Sequence, residues 1–181
     1  YRAWGNSYWN QNNRLLYWPL MATGDFDLLQ PWFDMYVNDL PLAKDRTRIY
    51  YHHDGASLPE TMLFWGLPNL NDFGWDNPTT TIQSHWQRYH IQGTLEVIAQ
   101  MLDEYDITQN ANFARKYIVP FADAIVTYYG EHWPRDENGK IKMSPTQSLE
   151  TYQLDAVNQT PDIAGLKSDI PRLLASPQNL N

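Results

Sequence analysis

The stretch 85–130, HWQRYHIQGTLEVIAQMLDEYDITQNANFARKYIVPFADAIVTYYG, decides the fold class. Within 85–105, Trp86, Tyr89, Gly93, Val97, Met101 and Leu102 line one side at helical spacing. Leu95, Ile98 and Leu102 widen that stripe, which predicts a helix buried on more than one side. Within 110–130, Phe113, Tyr117, Phe121, Ile125 and Tyr128 share a face, and Pro120 must kink or restart the helix. Only residues 106–109 separate the two segments, so the helices are expected to be antiparallel neighbours.

Working outward, residues 10–22 read as a helix interrupted near Pro19. Asp25 can cap a second helix, with Leu28, Leu29, Trp32, Phe33, Tyr36, Val37 and Leu40 in helical register. Pro31 falls early enough for a first turn, and Pro41 marks a kink before 42–51. Ser57 and Glu60 have capping-box spacing, which predicts a short helix over 61–65 ending at Gly66. Residues 67–84 read as a long loop in which Phe73 and Trp75 either face a ligand or pin the loop. Toward the C-terminus, Asp136-Glu137-Asn138-Gly139 before the alternating Lys140-Ile141-Lys142-Met143 predicts a small β-hairpin inserted near 133–143. Thr160-Pro161-Asp162 is a good start for a last helix running to about 175. The fold is therefore expected to be mainly α, with paired helices in the manner of one sector of an α/α toroid.

Composition narrows the function classes. The chain has 181 residues, no cysteine and a net charge of −8. It cannot use a thiol nucleophile or a cysteine-ligated metal. The acidic balance argues against a nucleic-acid footprint. No apolar run approaches the ~18 residues that span a bilayer. Eight Trp and 12 Tyr, beside 14 Asn and 11 Gln, with only 19% charged residues, suit contact with neutral polyhydroxylated ligands. The other reading of the same counts is a core rich in aromatics.

Three constellations can carry chemistry. The first is Trp9-Asn10-Gln11-Asn12-Asn13-Arg14, followed by Tyr17-Trp18-Pro19. If helical, Asn10 and Arg14 share a face and Asn12 points elsewhere. If extended, the carboxamides of Asn10 and Asn12 point the same way and can hold a water or sugar hydroxyls. Plain helix capping is the alternative. The second is Tyr50-Tyr51-His52-His53-Asp54-Gly55, read as sugar-hydroxyl contacts or a structural pair. Its spacing does not suit a metal, and none is expected. The third is Ser144-Pro145-Thr146-Gln147-Ser148-Leu149-Glu150-Thr151-Tyr152, where Glu150 is a lone acid flanked by Leu149 and Tyr152. Partial desolvation there would raise its pKa toward that of a general acid; a surface glutamate is the plain alternative. No phosphate loop, dinucleotide fingerprint or nucleophile elbow is present, so no cofactor is expected.

Together these segments resemble the front part of the catalytic domain of glycoside hydrolase family 95. That family contains α-L-fucosidases and α-L-galactosidases on an (α/α)6 barrel. Its Asn-x-Asn and Gln-Met-Asn-Tyr-Trp-Pro motifs resemble Asn10 to Pro19. Its His-His-Asn resembles His52-His53-Asp54, and its Ser-Pro-x-x-Ser-Pro-Glu-Asn loop resembles Ser144 to Thr151. The resemblance implies an inverting glycosidase, with Glu150 as general acid and Asn10 and Asn12 positioning the water. His52, His53, Asp54, Arg14, Trp18 and Tyr152 would bind sugar, and an aspartate from the later half of the barrel would support the water. Three departures stand out: Arg14-Leu15-Leu16 replaces Gln-Met-Asn, Thr151 replaces Asn, and Asp54 replaces Asn.

Residues 1–181 are thus expected to form the N-terminal part of one (α/α)6 domain. Twelve helices at ~11–12 residues each, plus loops, need well over 250 residues, so the chain reads as a fragment, inactive alone. The remaining partners would be an oligo- or polysaccharide and the rest of the barrel, from the same gene or another chain. No nucleic acid or membrane partner is expected, and the location would be secreted or periplasmic. The competing classes are a non-catalytic carbohydrate-binding relative and a polysaccharide lyase on an α/α toroid, for which Asn12, His52, His53 and Tyr152 would be compatible.

Overall fold

A computed structural model describes residues 7–68, 82, 84–147 and 155–176. Helix dominates it. The first helix, α1 (Asn10–Thr23), carries Pro19 inside and stops at Gly24, whose φ of 78° places it in the left-handed region that glycine enters freely. The second, α2 (Phe26–Tyr51), runs through Pro31 and Pro41 as one element, so residues 42–51 continue it. Of the stripe anticipated from the spacing, Leu29, Trp32, Phe33, Tyr36 and Leu40 are buried and Val37 is half-buried, whereas Leu28 faces outward.

The segment 85–105 is two helices rather than one: α3 (His85–Tyr89) and α4 (Gly93–Thr108). His90 turns extended between them, at φ −93° and ψ 100°. Then α5 (Ala111–Phe113), capped by Asn110, leads into a π-helical turn, Ala114–Ile118, and α6 (Val119–His132). Pro120 lies in the first turn of α6, and the wider turn before it accommodates the amide hydrogen bond that proline cannot make. The last helix, α7 (Thr160–Ala175), begins where expected.

The helix predicted over 61–65 is absent. Thr61–Met62 is instead a strand, β2, antiparallel to β1 (Tyr8–Trp9), with Tyr8 opposite Met62 and Trp9 opposite Thr61. Residues 133–143 form the small hairpin, reduced to one bridge between Arg135 and Ile141 around the Gly139 turn. The ligand-facing alternative for Phe73 and Trp75 lies outside the described residues.

At the centre, α4 packs against α1, α2, α6, α7 and the π turn. Leu95, Val97, Ile98, Met101 and Leu102 are buried on different sides of it, as its wide stripe requires. Many aromatics serve this core. Trp32 stacks on Tyr17 at 4.7 Å and donates from Nε1 to Gln100 Oε1 at 2.8 Å. Phe33, Phe113 and Tyr117 form a second group. Much of the aromatic excess is therefore structural.

Polar anchors are buried as well. Tyr129 donates to Asp162 Oδ1 at 2.7 Å, and Gln159 donates to Asp162 Oδ2, which fixes the start of α7 on α6. Tyr129→Phe removes one donor from a fully buried carboxyl and is expected to cost about 1–3 kcal/mol in a urea titration.

Burial also sets the pH response. Desolvation pushes the carboxyls of Asp39, Glu104 and Asp169 up to about 7. Such groups stabilise the fold below their unfolded pKa, and that stabilisation is lost as pH rises through about 7. Desolvation lowers His90 and His132 to about 4, with Arg14 and His53 respectively adding to the effect. Their contribution is present above the unfolded value of 6.5 and is lost as pH falls toward 4. Three carboxyls outweigh two imidazoles between these limits. Stability at about pH 5.5 is expected to exceed that at about pH 8 by on the order of 1–3 kcal/mol, as read from denaturant midpoints.

Candidate functional site

Four chain segments meet where α1 and α4 begin. Asn10 heads α1 and is 2% exposed. Its backbone N–H donates to the Glu60 carbonyl at 3.1 Å, and the Gln11 N–H donates to Glu60 Oε1 at 2.6 Å. Glu60 thus supplies the cap that Trp9, as the local N-cap residue, does not. The Asn10 side chain donates from Nδ2 to the Tyr36 hydroxyl at 3.1 Å. Its Oδ1 is buried with no hydrogen-bond partner among the described residues. Burial, followed by the charges of Glu60, Asp39 and Glu96, raises the Tyr36 pKa far above its ordinary value, while the Asn10 bond opposes the shift.

Gly93, the first residue of α4, is packed so closely that a Cβ there would lie 2.8 Å from Glu60 Oε2 and 2.9 Å from Asn10 Oδ1. A side chain at this position would have to push the buried Asn10 and Glu60 side chains aside. The N-termini of both helices flank the Glu60 carboxyl, and their partial positive charge favours an anion there. Trp86 donates from its indole to His90 Nδ1, so neutral His90 carries its proton on Nε2, 3.8 Å from Glu60 Oε2. Beside this group, Arg14 Nε pairs with Glu96 Oε2 at 2.6 Å, and Gln92 donates to Glu96 Oε1 at 3.0 Å.

The base of the Glu150 segment lies at the same junction. Thr146 and Ala156 exchange backbone hydrogen bonds at 3.0 and 2.8 Å. The Gln147 N–H donates to the carbonyl of Tyr89, the residue before His90, at 3.3 Å. Glu150 and Tyr152 themselves lie outside the described residues.

A second cluster forms at the far end of α2. His52 caps that helix in the left-handed region, at φ 62°. His53 Nδ1–H donates to the Asp54 carbonyl at 2.6 Å, which leaves Nε2 to accept from His132 Nδ1 at 2.9 Å. Asp54 pairs with Arg48 at 3.0 Å, and its backbone N–H donates to Glu131 Oε2 at 2.9 Å. Arg48, His52, His53, Asp54 and Glu131 line an open hollow. Among the described residues no group of three or more His, Asp or Glu is arranged to hold a metal.

The expected site residues are thus divided. Asn10 and Arg14 fall on one side of α1 at the buried junction, while Asn12 is exposed. Of the two alternatives for this segment, the helical one holds, so the carboxamides of Asn10 and Asn12 do not point together. Trp18 is exposed, two turns further along α1. His52, His53 and Asp54 belong to the second cluster. Tyr36 and Tyr51 mark the two places on α2, roughly 22 Å apart at the α-helical rise. Glu60, His90, Tyr36 and Glu96 are polar residues of the first cluster that reading by motif missed. A signal existed at Gly93: glycine inside a strong helical pattern costs about 1 kcal/mol relative to alanine and marks close approach.

In comparisons with known proteins, no family model matches the chain and no curated protein matches it significantly.

Proposed function

We propose that the chain is part of a glycoside hydrolase of the (α/α)6 type, cleaving an α-L-fucoside, α-L-galactoside or related glycan linkage with inversion. One observation carries this reading. Asn10, with its free carboxamide oxygen, and the base of the segment bearing Glu150 converge on the same α3–α4 junction. These are the two motifs to which the family resemblance gives the water-positioning and proton-donating roles.

The chemistry divides between them. Water adds to the anomeric carbon as the glycosidic C–O bond breaks, and Glu150 gives its proton to the departing oxygen. Asparagine is too weak a base to take the water's proton, so it orients the water and the proton leaves to a carboxylate. Arg14 stands where the family pattern has glutamine, and its pairing with Glu96 gives the sugar pocket a charge pattern of its own. That favours a substrate related to, rather than identical with, a simple fucoside.

The packing around Asn10, Tyr36, Glu60 and Gly93 leaves no room for a water molecule. This favours, as a second reading, a non-catalytic glycan-binding relative. The complete protein, incubated with 4-nitrophenyl α-L-fucoside, the α-L-galactoside and oligosaccharides ending in these sugars, separates the two. Release of free sugar supports hydrolysis. Calorimetric binding without release supports the second reading, and an unsaturated product would indicate a lyase and contradict both.

A further inference from the structure

We propose that residues 52–54 form an acid-released latch between the end of α2 and α6, closed by the His53–His132 hydrogen bond and opened when both rings carry an added proton. The inference stands apart from the hydrolase reading.

The geometry makes the bond sensitive to protons. His53 Nδ1–H is committed to the Asp54 carbonyl at 2.6 Å, so Nε2 is the nitrogen that meets His132 Nδ1 at 2.9 Å. Such a bond needs a lone pair on one of the two facing nitrogens. It survives a first added proton, because an imidazolium on one ring still donates to the neutral other. A second proton sets N–H against N–H and charge against like charge, and the bond is lost. Aromatic rings hold the pair in this arrangement. Tyr128 stacks on His132 at 4.6 Å, and Tyr51 and Trp133 stand edge-on to it at 4.9 and 4.7 Å. The turn itself is under tension, since His52 holds φ of 62°, a conformation that L side chains rarely adopt. It also walls the open hollow beside Arg48 and Glu131, so its release changes the shape of that hollow.

The surrounding charges set where the latch opens. Arg46 and Arg48 face the pair from α2, His52 and Asp54 from the turn, and Tyr128 and Glu131 from α6, with Tyr51 at the end of α2. Arg48 and Asp54 are paired at 3.0 Å, and the Arg46 guanidinium lies over the Tyr51 ring at 5.7 Å. Desolvation, followed by the charge of His53, lowers His132 from 6.5 to about 4. A released ring regains its ordinary value. Opening is therefore favoured progressively as pH falls from about 6.5 to about 4, by on the order of 10²-fold in all.

Amide hydrogen exchange in the complete protein tests the latch. The reporters are the N–H groups of Asp54 and Ala56, which donate to Glu131 Oε2 and to the Ala124 carbonyl, each at 2.9 Å. After correction for intrinsic exchange, their protection is expected to fall on the order of 10²-fold from about pH 7 to about pH 4, while Ile98 and Leu102 in α4 keep theirs. His132→Asn places a carboxamide where Nδ1 stands and binds no proton, so its reporters should change by less than about threefold. Imidazole ¹⁵N shifts of the wild-type protein supply a readout that needs no variant. The second proton taken up by the His53–His132 pair should share its midpoint with the loss of protection. If His132→Asn does not fold, that comparison decides. Coincident midpoints support the latch, and separate midpoints overturn it. Reporter protection that holds down to about pH 4, or that falls equally in α4, overturns it as well. So does a loss in folded His132→Asn as large as in the wild-type protein.

Discussion

Replacing Gly55 with alanine is expected to destabilise the fold by about 2–5 kcal/mol, a large share of a typical domain's stability. Gly55 has φ of 89°, where an L side chain pays a backbone penalty of roughly 1–2 kcal/mol. A Cβ there would stand 2.3 Å from the Tyr128 nitrogen, 2.6 Å from its Cα and 2.9 Å from the Ala124 carbonyl oxygen. Those atoms are helix backbone and cannot swing aside, so α6 would have to retreat from the loop. The retreat would strain the bond from Ala56 N–H to Ala124 O and the His53–His132 contact. Gly130 is the internal control. It lies in the same helix with nothing within 4 Å of its Cβ position, so Gly130→Ala should be neutral or stabilising by up to about 1 kcal/mol. Urea midpoints of the two variants should therefore move in opposite directions or differ sharply. Equal midpoints would contradict the close approach of loop and helix.

Replacing Glu150 with glutamine is expected to cut hydrolysis of an alkyl glycoside by about 10²–10⁴-fold. Glutamine keeps the shape of the side chain but has no proton to give, so the leaving oxygen would depart as an alkoxide. Hydrolysis of the glycosyl fluoride should be largely spared, because fluoride leaves without protonation. A parallel loss on both substrates would place Glu150 elsewhere in the mechanism. Unchanged turnover of the alkyl glycoside would remove its role as the acid.

The helical framework was legible wherever one face repeats against one core. The stripes of α2, α4 and α6 follow from spacing, and the start of α7 from Pro161 and Asp162 in its first turn, although neither Asp25 nor Thr160 makes the side-chain cap bond its type suggests. The site was less legible because its contacts are long-range. Ser57 and Glu60 have the spacing of a capping box, and Glu60 does cap a helix. The helix is α1, whose amide lies 49 positions earlier in the chain. A pattern of residue types shows that a carboxylate is suited to amides, not which amides the fold brings to it. The break at His90 was hidden for a similar reason. Trp86 and His90 share the spacing of one helical face, and a hydrogen bond between their rings holds the chain where it leaves that helix. The partner of His53 lies 79 positions away and carries no local signature.

The most direct measurement is the anomer of the sugar released by the complete protein, followed by proton NMR from the first minutes of reaction. The account predicts that wild-type protein releases the inverted β-L-anomer from an α-L-linked substrate before mutarotation. It predicts that Glu150→Gln releases almost none from the alkyl glycoside. Release of the α-anomer, or no release at all by the wild-type protein, would contradict it.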